Sequence, residues 1–99
     1  MEVRDNPEQE RYEVLAGGEI AGIAQYRSRP GLIAFIHTEV DEAHEGEGLG
    51  SRLIAFALDD ARARGLDVLP FCPFVNAFIE SHPEYADLVP ESRREVFGL

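Results

Sequence analysis

The sequence predicts an α+β chain of mixed α/β type: an antiparallel meander of strands followed by one parallel crossover unit, in the order strand, strand, strand, helix, strand, helix. Three observations carry this. Apolar residues alternate at period two as far as Val40, and they switch to helical spacing from Leu49 to Ala61. A short apolar run, Leu66 to Phe71, then leads into a second helical stripe opened by Pro73.

Each element has its own signal. Between Arg11 and Ala16 the residues Tyr12, Val14 and Ala16 alternate, and Gly17-Gly18 supplies the positive-φ pair of a tight hairpin turn. The return strand runs from Glu19 to about Arg27, with Ile20, Ala24 and Tyr26 on one side and Ala21, Ile23 and Gln25 on the other. Ser28-Arg29-Pro30-Gly31 ends it. Leu32 to Val40 is almost continuously apolar or β-branched, the pattern of a central strand covered on both faces, with His37 and Glu39 as its polar exceptions. Leu49, Leu53, Ile54, Ala57, Leu58 and Ala61 make one helical stripe, closed by Gly65 at the left-handed position. The strand from Leu66 should lie parallel to the one before the helix, through a right-handed crossover. Phe74, Val75, Phe78 and Ile79 stripe a second helix, which His82-Pro83 ends, and Tyr85, Leu88 and Val89 are expected to pack back. Residues 1–9 are mostly polar and expected to be flexible, 10–90 form the one domain, and 91–99 are a C-terminal tail.

A chain of 99 residues has room for one core, and its 44% apolar content suffices to fold it. Nineteen acidic residues against nine arginines and no lysine give a formal charge of −10. That charge repels nucleic acid phosphates and anionic membranes, so neither is expected as a partner. The N-terminal segment has no apolar run to serve as signal or span, and the lone Cys72 has no partner for an intrachain disulfide, so the expected compartment is the cytoplasm. His37, His44 and His82 are dispersed, and no metal site is expected.

The most informative stretch is Glu45-Gly46-Glu47-Gly48-Leu49-Gly50-Ser51-Arg52, between the third strand and the first helix. Alternate glycines let successive backbone amides converge, and the helix start behind them adds a positive end, which together can seat a phosphate or pyrophosphate. The absence of a following lysine excludes a Walker loop, and the glycine spacing excludes the dinucleotide fingerprint. A connection that merely turns a corner is the other reading of such a loop.

The run Phe35-Ile36-His37-Thr38-Glu39-Val40, the loop Gly46 to Gly50, Phe71-Cys72-Pro73-Phe74-Val75 and His82-Pro83-Glu84-Tyr85 together resemble the minimal, single-domain YjdJ-like branch of the GNAT acetyltransferases. The resemblance spans roughly residues 11 to 89. It implies two central strands that splay apart and acetyl-coenzyme A as co-substrate. The pyrophosphate would lie on the amides of Gly46, Glu47, Gly48, Leu49 and Gly50, the pantetheine along Glu39 and Val40, and the thioester near Cys72. Ser51 and Arg52 could add a hydroxyl and a guanidinium to the phosphates, and Asn76 a hydrogen bond to the pantetheine. Glu45 stands where the superfamily usually has Arg or Gln, Glu47 where Gln is common, and Asp41 where proline is usual. The tyrosine that many members carry on the last helix falls nearest to Phe78, with Tyr85 just beyond.

An amine must lose a proton before it attacks, so a base is required. His37 and Glu39, two apart on one strand, share a face at the end beside the expected thioester, and either could serve. The reading favoured over catalysis makes His37 a hydrogen-bonded core histidine and Glu39 a solvated carboxylate at the strand end. Cys72 precedes Pro73 at the expected start of a helix, where the dipole favours negative charge, so it is a candidate nucleophile or a small lining residue. The expected function is acetyl transfer to an amine of unidentified kind. The alternatives are a coenzyme-A-binding module without turnover and an acidic interaction domain. Without the N-terminal helices of larger relatives, the chain would offer the acceptor an open groove as a monomer or complete it as a homodimer.

Overall fold

The computed structural model describes residues 2–99. Five strands form one sheet in sequential order: β1 (Glu2–Asn6), β2 (Arg11–Ala16), β3 (Glu19–Arg29), β4 (Leu32–Val40) and β5 (Asp67–Pro70). The first three pairings are antiparallel and β4 with β5 is parallel, so the fold is the mixed α+β type expected. Helix α1 (Leu49–Ala63) makes the crossover, α2 (Pro73–Ser81) follows β5, and a single turn, α3 (Glu91–Arg94), lies near the C-terminus. Short 3-10 segments sit at Glu42–His44 and Pro83–Leu88.

The expected local signals do their work. Gly17 and Gly18 have φ of +60° and +82°, the pair of left-handed residues that matches a two-residue hairpin turn to strand twist. The α1 stripe of Leu49, Leu53, Ile54, Ala57, Leu58 and Ala61 is buried against Tyr12, Val14, Ala24, Tyr26, Ile33 and Phe35 of the sheet, and Val75 and Ile79 of α2 join the same core.

Three expectations are corrected. Residues 1–9 were expected to be flexible, yet Glu2–Asn6 is an edge strand in register with β2. Its polar side chains are partners rather than solvated groups. Asp5 accepts from the Tyr26 hydroxyl at 2.7 Å, as Asp60 of α1 accepts from Tyr12 at 2.5 Å, and the Arg64 guanidinium lies between the two carboxylates. Burial, reinforced by these carboxylates, raises both tyrosine pKa values well above the ordinary phenol range, so both hydroxyls stay donors. On the opposite face Arg4 and Asn6 reach Glu13. Second, β4 is covered on one face only: Ile33 and Phe35 are buried, whereas Ile36, His37 and Glu39 are exposed. Third, residues 91–99 dock rather than trail, with the Phe97 ring 5.2 Å from Phe71 and its carbonyl accepting from Asn76 Nδ2 at 2.8 Å.

Candidate functional site

The site begins with a break in β4. Tyr26 pairs with Phe35 but Gln25 pairs with His37, so Ile36 is an extra residue, a β-bulge that bends the strand and resets which groups face which edge. β5 ends at the same level, because its last pair is Phe35 with Pro70. Cys72 N–H then closes the junction on the Phe35 carbonyl at 2.9 Å before the chain turns into α2. β4 continues to Val40 paired with β3 alone, so its other edge is left without a partner strand beyond Phe35. The Asp41 N–H donates to Ala21 O at 2.7 Å, which fixes the phase of the ladder. By its alternation Glu39 and His37 turn their main-chain groups toward β3, while Thr38 and Val40 turn theirs toward the edge that β5 has vacated.

The second component is the start of α1. Its N-cap is Gly48, at φ +74°, with no side-chain cap and no acidic residue in the first turn. The first helical bond runs from Arg52 N–H to the Gly48 carbonyl, which leaves the amides of Leu49, Gly50 and Ser51 without acceptors in the helix. Gly46, at φ +83°, and Gly48 supply the left-handed turns that bring the chain round to this point. Gly50 has a different purpose from the one its spacing suggested. A Cβ there would lie 2.7 Å from Cζ of Phe74, so this glycine lets α1 approach α2.

The vacated edge and the helix start share one groove of about 570 Å³, lined by Thr38, Val40, His44, Glu45, Gly46, Gly48, Leu49, Gly50, Ser51 and Phe74. Its floor is amides and apolar side chains, with Glu45 the one carboxylate on its wall. Glu47 does not line it, because its carboxylate is engaged 3.0 Å from Nδ1 of His44. Cys72 is the N-cap of α2, buried, with Sγ 3.3 Å from the Thr38 hydroxyl. His37 and Glu39 lie together, Nε2 to Oε1 at 3.4 Å, but alternation puts them on the face opposite Thr38 and Cys72. The three candidate catalytic residues are therefore not one constellation. A second groove of about 550 Å³, lined by Ile20, Ala21, Gly22, Ile23, Glu39 and Asp41, meets the first at Thr38 and Val40.

Four expected binding residues fall outside the first groove: Glu39, Glu47, Arg52 and Asn76. Asn76 is tied to the Phe97 carbonyl and faces the C-terminal segment, because helical spacing turns it away from Phe74 and Val75. Arg52 is exposed on α1 and does not line the groove. Thr38, His44 and Phe74 line it without having been singled out. The alternation that groups His37 with Glu39 was enough to turn Thr38 to the other face, whereas the parts of His44 and Phe74 depend on the 3-10 turn and the Gly50 contact. Among the described residues no three His, Cys, Asp or Glu gather as metal ligands would, and no helix is long and apolar enough to cross a membrane.

Residues 11–88 match the model of a family described as GCN5-related N-acetyl-transferase. Among solved structures, the NMR solution structure of a "GCN5-like putative N-acetyltransferase" from Staphylococcus aureus superposes with a TM-score of 0.69. It covers 89% of this chain and 86% of that one at 21% identity, which is a likeness of fold. No curated protein matches the sequence.

Proposed function

The chain belongs to the GCN5-related N-acetyltransferase family, and we propose that it is an acetyl-coenzyme-A-dependent N-acetyltransferase whose co-substrate occupies the groove between β4 and the start of α1. The observation that carries this is the continuity of the groove. An uncapped helix N-terminus, with free amides and no acidic side chain in its first turn, opens without a barrier onto a vacated strand edge. The first suits a pyrophosphate, and the second offers main-chain donors and acceptors to the amides of a pantetheine arm. Thr38 and Val40 supply that edge in this reading, while the main chain of Glu39 serves β3.

The second groove fits the acceptor. It carries the carboxylates of Glu39 and Asp41 and meets the first at Thr38 and Val40, so an anionic co-substrate and a cationic amine can approach one thioester from two sides. An ammonium of ordinary pKa costs about 4–5 kcal/mol to deprotonate at neutral pH. Glu39, with His37 at 3.4 Å, is the acceptor for that proton on the amine's side. The amine nitrogen then attacks the thioester carbonyl carbon, the carbon–sulfur bond breaks, and coenzyme A leaves as a thiolate that takes up a proton from solvent.

Cys72 takes no covalent part in this account. Its thiol is buried against the Thr38 hydroxyl, and the His37 imidazole faces the other side of the sheet. Purified protein incubated with acetyl-coenzyme A alone should show no acetyl adduct on the Cys72 peptide by mass spectrometry, and with an amine panel its initial-rate plots should intersect. A Cys72 adduct that discharges when amine is added, with parallel plots, would overturn direct transfer in favour of a two-step relay.

A further inference from the structure

The walls of the co-substrate groove carry no arginine and no lysine. The ligand assigned to it is a polyanion and the chain has a formal charge of −10, so a seat made of amides alone would meet that ligand with partial charges only. One lining side chain can become cationic. It is His44, the last residue of the 3-10 turn Glu42–His44. The loop holds this residue from both sides, since its N–H donates to the Asp41 carbonyl at 2.9 Å and its own carbonyl accepts from the Glu47 N–H at 3.3 Å. The ring is held too, with Nδ1 3.0 Å from Oε1 of Glu47. A carboxylate can only accept, so Nδ1 carries the proton and Nε2 is the ring atom left for a ligand. Glu45 lies on the same wall, and Asp41 and Glu42 belong to the same turn, while β4, α1 and α2 add no titratable side chain to the groove.

We infer that His44 meets the pyrophosphate as an imidazolium, so that seating the co-substrate takes up a proton, and that Glu47 is the counter-charge that holds this proton on the ring. The inference rests on the co-substrate reading above. In the neutral ring Nε2 presents a lone pair, and a phosphate oxygen, which also has only lone pairs to offer, cannot pair with it. A proton taken from solvent onto Nε2 turns the same atom into a charged donor, and such a bond to an anionic oxygen is about twice as strong as a neutral one. Histidine is the side chain whose charge changes within the neutral range, so the exchange is open under ordinary conditions. Glu47 then has a part opposite to the one its charge suggests. A lone carboxylate beside a pyrophosphate would repel it, whereas one bonded to Nδ1 stabilises the cation whose Nε2 attracts the phosphate. Affinity is therefore highest in mild acid, where the free protein already carries the imidazolium, and falls as pH rises and the proton must come from solvent.

The test titrates dephospho-coenzyme A, whose pyrophosphate diester does not itself titrate near neutrality, into the wild-type protein, His44→Gln and Glu47→Gln, with a thermal melt to verify that each variant is folded. Calorimetry at about pH 6 and about pH 8, in pairs of buffers that differ in ionisation enthalpy, reads affinity and proton uptake together. The inference predicts that wild-type affinity falls about tenfold across this range, in line with the loss of one charge-assisted hydrogen bond, and that binding at the upper end takes up a proton. His44→Gln should bind weakly and equally at both ends, without uptake. Glu47→Gln removes a negative charge from the loop and yet should bind more weakly than wild type at neutral pH. Should His44→Gln fail to fold, the wild-type proton uptake and Glu47→Gln carry the test. Binding by the wild type without uptake, a pH dependence that persists in folded His44→Gln, or Glu47→Gln binding as tightly as wild type or more tightly, would overturn the inference while leaving the co-substrate groove standing. Failure of the wild type to bind dephospho-coenzyme A and coenzyme A alike at either end would remove the co-substrate reading itself, and this inference with it.

Discussion

Replacing Ser51 with glutamate is expected to lower affinity for acetyl-coenzyme A at least tenfold, a loss of about 1.4 kcal/mol or more, without lowering the melting temperature. Ser51 is the third residue of α1, exposed, and on the groove wall. A carboxylate in the first turn of a helix stabilises it by roughly 0.3–1 kcal/mol, because it meets the positive end of the dipole and the unpaired amides. Those are the same groups that the account assigns to the pyrophosphate. The glutamate would therefore satisfy the helix and repel the ligand at once, which separates loss of binding from loss of fold. Calorimetric titration beside a thermal melt reads both quantities, and unaltered binding in a folded Ser51→Glu protein would show that the phosphates lie elsewhere.

The largest expected loss of stability from a single polar change is at Glu13. Its side chain has no accessible surface, and it accepts from Arg4 Nε at 2.8 Å, Arg11 Nε at 2.7 Å and Asn6 Nδ2 at 3.1 Å. Burial pushes its pKa up, but the hydrogen bonds from Arg11, Arg4 and Asn6 and the charge of Arg11 outweigh that and hold it below the ordinary glutamate value. Glu13→Gln keeps the shape, removes the charge and leaves two guanidinium groups underpaired, and should cost about 2–4 kcal/mol at neutral pH. The arginines are partly exposed, which keeps the figure below that of a fully buried triad. Because the folded pKa is depressed, ionised Glu13 contributes stability that is fully present above the unfolded value of about 4.3 and is lost as pH falls through the folded one. Urea unfolding at neutral pH and near pH 3 should then show the gap between wild type and Glu13→Gln shrinking in acid. Other carboxylates, such as Asp87, whose pKa the hydrogen bond from Arg62 lowers, titrate in both proteins and cancel in the difference. A gap that stays constant with pH would mean that Glu13 acts through packing alone.

The parts of the fold that were legible in the sequence are those governed by periodicity and by glycine. The Gly17-Gly18 turn, the α1 stripe closed at Gly65, and Pro73 at the first turn of α2 each follow from a local rule that the tertiary structure does not override. β1 was not legible, because hydrophobicity does not distinguish a solvated Arg4 or Asp5 from one whose partner, Glu13 or Tyr26, lies far along the chain. The loop itself was legible, whereas the separate purpose of Gly50 depended on where Phe74 would fall. The bulge at Ile36 leaves no mark in a run of apolar residues, yet it decides that Thr38 and Val40 present the free edge and Glu39 does not. The pairing of His37 with Glu39 was visible from their spacing. That Cys72 lies on the other side of the sheet required the parity of β4 to be known.

The central claim is that the groove between β4 and the start of α1 holds acetyl-coenzyme A, and the most direct measurement is an amide-resolved NMR titration of the labelled protein with that ligand. The account predicts saturable shifts concentrated at the amides of Gly46, Gly48, Leu49, Gly50 and Ser51 and at Thr38 and Val40, with Asn6 and Arg11 at the far edge of the sheet unmoved. No shifts at millimolar ligand, or shifts confined to other surfaces, would contradict it.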